Sequence, residues 1–417
     1  MLMTRLVFLC FHFCGGLRNP IQERTSHARG NIRRCYRQRR STVLPVIRSK
    51  IHHPKISSRW HVIARVLLLG ALLQAGDAPA RVFCVATAEE LQSALTDASD
   101  GGVAASENNI IDLVKATYQT GSATGGLPFH YVLHSAGTLI LTAGFDSGCP
   151  PRTAFDPALT ILDGGLATTV LSMQLGGSAV TLQYLTVQNG KATDAGGGLE
   201  ILTPLTSNAH ITVSQCIIRN NHSDTAGGGF YIGASTSLNT IGADFHDNLI
   251  YGNSTDGSGG AGLLEGNAGN TYIDLKLYHN TVVQNTTSLA GATGGLVDGF
   301  AGSSTMLNNI LFGNSNYDLR LASGNTTLKY NDVGALDGMT PAATLANVSV
   351  DPDFIDSANG DFRLAGGSPL LAFSPYVNPD NINIDIFGEH YGHAGLVDLG
   401  PYEDTIFIDG AELPPPQ

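Results

Sequence analysis

The chain is short of charge, of tryptophan and, past its first 80 residues, of cations. Of 417 residues only 14% are Asp, Glu, Lys or Arg, and one is Trp. Residues 81–417 carry nine bases against 33 acids, whereas residues 1–80 carry 14 bases against two acids. A body this acidic offers no clustered Lys and Arg to a phosphate backbone, which argues against nucleic acid as a partner. There is no C-x-x-C, no zinc spacing, no G-x-S-x-G and no P-loop. The Gly-x-Gly strings lack the strand-to-helix setting of a dinucleotide site. At 42% apolar, the chain has too much to bury for disorder.

The basic segment reads as targeting. Arg59 to Arg65 is a short cationic stretch, and Val66 to Leu73 is an apolar run of signal-peptide length, too short to span a bilayer. Ala78-Pro79-Ala80 is a small-residue cleavage pattern, with Ala75 the next candidate. Residues 1–58 read as a long basic leader. The expectation is an exported or cell-surface chain without a transmembrane span in its mature part. Cys10, Cys14 and Cys35 fall in the leader, leaving Cys84, Cys149 and Cys216. Cys84 and Cys149 could pair in an oxidising compartment, while Cys216, in an apolar run, reads as a buried small hydrophobe.

What is plentiful is glycine, with 50 residues, and it comes with a repeat. Apolar runs end in Asn189, Asn221, Asn253 and Asn285 at steps of 32, and Asn314 follows. Glycine corners recur at the same beat: Gly196-Gly-Gly-Leu199, Gly227-Gly-Gly-Phe230, Gly260-Ala-Gly-Leu263 and Gly294-Gly-Leu296. Each repeat reads as about three short strands. One such coil cannot bury its apolar side, but stacked coils at about 4.8 Å bury a continuous column. The predicted fold is all-β: a parallel β-helix solenoid, right-handed by the general preference of parallel crossovers. A β-propeller needs about 40 residues per blade, so the period disfavours it. The five Asn read as a structural ladder rather than a binding site. Asn221, Asn253, Asn285, Asn325 and Asn347 also stand in N-x-S/T triplets.

The ends need covers. Thr87-Ala-Glu-Glu90 is a capping box opening a helix over 88–98. Cys84-Val-Ala-Thr-Ala-Glu-Glu-Leu91, the strand run Ile110 to Tyr118, Ala143-Gly-Phe145 with Cys149, and Thr160-Ile-Leu-Asp-Gly164 follow in order. Near the other end stand Asp351-Pro-Asp-Phe354, Asp361-Phe-Arg-Leu364, Gly367-Ser-Pro369 and Val397 to Glu403. Together these resemble bacterial secreted right-handed parallel β-helix proteins of the polymorphic outer-membrane-protein-like and choice-of-anchor groups. The resemblance covers about 81–412 and implies a solenoid over 81–345, a closing β module over 346–404 and a tail over 405–417. Ala372-Phe373 and Glu389-His390 depart from the closing module's usual residues, putting an Asp–Arg pair there in doubt. The resemblance specifies fold rather than activity, since β-helices serve as lyases, hydrolases and adhesins.

Candidate chemistry is sparse. The nine bases of the body are scattered, which argues against a lyase for acidic polysaccharides. Glu200, Glu265 and Asp298 follow glycine corners and are the carboxylates on offer to a glycan hydrolase. By corner alignment Glu200 matches Tyr231 and Leu264, and the other two fall one place on, so no single row is expected. Tyr231 beside Glu200 is a candidate sugar platform. Asp194, Asp224 and Asp256 precede corners and could gather Ca²⁺, or be solvated turns. His390 and His393 share a glycine-rich loop, a bare metal hint. The function expected is surface adhesion or carbohydrate binding to glycans or other cell-surface components, with a glycan hydrolase or lyase, or a purely structural surface protein, as alternatives.

Overall fold

The computed structural model describes residues 80–204, 208–234, 240–266, 272–299, 301–375, 384–391 and 395–403. All lie in one compact unit, 73–417. The basic leader, the signal segment as far as Pro79, Cys10, Cys14, Cys35, His393 and the tail 405–417 lie outside the described residues.

The chain forms a parallel β-helix. Its coils contribute to a ten-stranded sheet, running from Ala80–Val85 to Ala343–Leu345, and to two eight-stranded sheets. One of these runs from Phe129–Leu133 to Leu336–Gly338, the other from Thr117–Gln119 to Asp332–Val333. Alternation decides which side chains point inward. Ile111, Leu141, Leu182, Val213, Phe245, Leu277, Met306 and Leu328 stand in register on successive coils. None is more than 3% exposed. A second inward file, Leu162, Val187, Ile218, Ile250, Val282 and Leu311, comes from the short strands. Burying each such side chain is worth about 1.5–3 kcal/mol.

The asparagine ladder is present, with one correction. Asn221, Asn253, Asn285 and Asn314 each pass an Nδ2 proton to the next side-chain oxygen at 2.9, 2.9 and 2.9 Å. The last gives its own proton to Asp318 Oδ1 at 2.8 Å. Asn189 is not a rung. Strand register pairs Gln188 with Arg219 and Arg219 with Tyr251. Asn189 therefore matches Asn220 and Gly252, the turn residues with φ of 55°, 55° and 63°. The rung place in that coil is Gly190, whose N–H donates to Asn221 Oδ1 at 2.8 Å. The first step is 31 residues, not 32, and the earlier spacing came from matching a turn Asn to a ladder Asn. A second ladder went unseen in the sequence: Asn248, Asn280, Asn309, Asn331 and Asn347, bonded at 2.8 to 3.1 Å. Because Asn221, Asn253 and Asn285 are buried with their amide nitrogens engaged, their triplets are not open to glycosylation, whereas Asn325 is exposed.

At the N-terminal end the helix Ala88–Ala98 turns Leu91, Ala94, Leu95 and Ala98 into the core. Its capping box is complete: Glu90 N–H donates to Thr87 Oγ1, and Glu90 Oε2 accepts from Thr87 N–H. Cys84 and Cys149 are disulfide-bonded, closing a separation of 65 residues. A loop that long is worth about 4 kcal/mol in the chain-entropy account. Past the last coil, the described residues of 351–375, 384–391 and 395–403 run along the flank of the short-strand sheet. There Phe362, Leu364, Leu370, Ile386 and Leu399 pack on Ile217, Leu249, Val283 and Ile310 from four coils. Tyr391 anchors the segment, its hydroxyl donating to buried Asp247 at 2.6 Å. Cys216 is free and buried, its thiol pushed up to about 12 by burial.

Candidate functional site

The outward side of the glycine-led strands presents a polar file. His130, Ser172, Glu200, Tyr231, Leu263, Val297, Arg320 and Asp337 stand in register across the eight coils. The corner glycines hold these strands in place. At Gly196 φ is 76°, and a Cβ there would meet the Leu199 carbonyl oxygen at 2.6 Å.

Within the file, Glu200 Oε2 accepts from the Ser172 hydroxyl at 2.7 Å. Tyr231 reaches the other way and donates its hydroxyl to Glu265 Oε2 at 2.8 Å. Burial first, and Glu265 next, raise the phenol's pKa. The ring can lie along the strand because Gly233, two residues on, has no side chain. A Cβ there would fall 2.5 Å from Tyr231 Cε1. Arg320 is held by Asp337 at 3.0 Å. Beside the file is an open cleft of about 490 Å³, lined by Leu263, Glu265, Leu289, Val297 and Arg320.

The three carboxylates do not assemble into a hydrolytic pair. Glu200 is in register with Tyr231 and Leu263, not Leu264. Glu265 belongs two coils beyond Glu200 and two residues further along its strand, about 12 Å away at the coil and residue spacings. Tyr231, on the coil between, leans across toward Glu265. Asp298 is in register with Leu264, one place before Glu265, so it points inward. It sits in the apolar file of Met173, Ile201, Ile232, Leu264 and Leu321 at 1% exposure. Burial pushes its pKa up to about 6 although the Ser304 hydroxyl donates to Oδ2 at 2.6 Å. Asp298 thus has no access to a substrate, which removes it from the candidate set.

The aspartates before the corners divide similarly. Asp224 N–H bonds Ala192 O and Asp256 N–H bonds Ser223 O, so the two occupy one position on adjacent coils. Asp194 is one place further along and accepts from Thr225 Oγ1 at 3.3 Å. The residue that instead joins Asp224 and Asp256 is His222; one ligand atom from each of the three lies within 4.8 Å of the others. Sequence spacing gave no sign of it, since the contact is made between coils. His390 lies at an antiparallel bridge to Ile384 in the flank segment.

No helix among the described residues is long and apolar enough to cross a membrane. Comparison with known proteins finds no matching family model, curated protein or solved structure.

Proposed function

We propose that the chain is an exported surface or extracellular protein whose outward polar file contacts carbohydrate, without cleaving it. The observation that carries this reading is the Tyr231–Glu265 pair beside the open cleft. An amphipathic ring offers a flat apolar surface, and the adjoining carboxylate and Arg320 guanidinium fix hydroxyl groups by direction. A shallow, open cleft suits a chain that lies across several coils. Among the described residues no second carboxylate faces the first across a gap, which counts against hydrolysis.

A glycan array, with product analysis of every positive, tests this. Binding without cleavage is expected, and Tyr231→Ala should weaken it at least about tenfold, the loss of roughly 1.4 kcal/mol. Cleaved products would replace the proposal with a glycan hydrolase or lyase. Neither binding nor cleavage would leave a purely structural surface role.

A further inference from the structure

The flank of the coil ahead of the glycine corners is built by the short strands Lys191–Ala192, His222–Ser223, Ser254–Thr255 and Thr286–Thr287. His222 Nε2 lies 3.2 Å from Asp224 Oδ1, and its Nδ1 lies 2.9 Å from Ser254 Oγ on the next coil. Asp224 and Asp256 are exposed, stacked one coil apart, and the flanking coils place Thr193 and Ser288 there instead. Among the described residues Asp256 has no ion pair, its Oδ1 taking only the Ser288 hydroxyl at 2.9 Å. One imidazole is few partners for two carboxylates about 5 Å apart, which repel unless a cation lies between them. We propose that His222, Asp224 and Asp256 bind a divalent transition-metal ion of the zinc type.

The donor set decides the class. One imidazole nitrogen and two carboxylates suit Zn²⁺ and its neighbours, whereas Ca²⁺ calls for six to eight oxygens. Bonds of about 2.0–2.2 Å put tetrahedral donors about 3.4 Å apart. From a spread of 4.8 Å the exposed side chains need close by little more than an ångström. Ser254 on Nδ1 orients the ring and leaves Nε2 for the ion, the role an outer hydrogen bond plays at histidine ligands. Lys191 stands in register with His222 on the coil away from Asp256, and Asp224 and Asp256 are exposed.

Calorimetric titration of the untagged protein with ZnCl₂ reads the site. The wild type should take up one equivalent more than His222→Ala or Asp256→Asn, both folded by circular dichroism. Ser254→Ala should bind that equivalent roughly tenfold more weakly. Millimolar Ca²⁺ should not displace it. Equal stoichiometry in wild type and His222→Ala overturns the inference, and so does Ca²⁺ displacing the ion.

Discussion

A rung of the ladder and its neighbouring turn residue look alike in the sequence but carry very different energies. Asn253 is fully buried, accepts from the Asn221 backbone and side chain, and donates to Ile218 O and Asn285 Oδ1. Asn253→Ala leaves several of those groups unpaired at once, at about 1–3 kcal/mol each. Asn189 makes one side-chain bond, to Asp163 at 2.8 Å, and its φ of 55° suits glycine. Thermal melts should therefore show Asn253→Ala losing about 3 kcal/mol or more, and Asn189→Gly staying within about 1 kcal/mol. Equal losses would mean the ladder is not what holds these turns.

At the level of strands, fit between coils is specific. The Phe230 ring fills the space beside Gly262 one coil on: a Cβ at Gly262 would meet Phe230 Cζ at 2.3 Å. The ring also stacks on Phe245 at 4.6 Å. Gly262→Ala should cost about 1–3 kcal/mol, read as a lower denaturant midpoint at unchanged slope. This scale is also where sequence reading succeeds and then slips. The strands, the capping box and four rungs were legible because each coil repeats the same inward residue type at the same place. Register was not legible across a variable loop. From Gly262 to Leu296 the coil takes 34 residues, so counting from glycine corners put Glu265 and Asp298 at one position, whereas strand pairing sets Asp298 beside Leu264. Asn220-Asn221 offered two equal matches for Asn189, and only strand pairing chooses. His222 met Asp256 through stacking, which no local pattern records.

For the protein as a whole, buried ionisable groups set the response to pH. Burial raises Asp298 to about 6, Asp332 to about 7 and Asp385 to about 6. Asp298 Oδ1 and Asp332 Oδ2 have no donor to compensate. A carboxyl whose pKa is higher folded than unfolded favours the folded state while protonated, and that advantage drains away as pH climbs from about 4 through 7. His279 works in the opposite sense: burial lowers it to about 4, so charging it weakens the fold as pH falls below about 6.5. Three groups outweigh one, and the melting temperature should be higher at pH 5 than at pH 8. Asp298→Asn should raise it at pH 8, raise it less at pH 5 and leave it nearly unchanged below about pH 4, which differential scanning calorimetry can read.

The ladder also has a direction. Asn221 through Asn314 all hand their protons the same way, so their dipoles align and each bond polarises the next. Asn314, at the far end, gives one amide hydrogen to the Val282 carbonyl and has a second to place. In this ladder the terminus is a side chain that only accepts. Asp318 is that group: its Oδ1 takes both the backbone and side-chain hydrogens of Asn314, and its Oδ2 takes the Ala335 N–H. An aspartate at the last position, buried to 4% exposure, is thus the natural full stop to a sentence of identical amides.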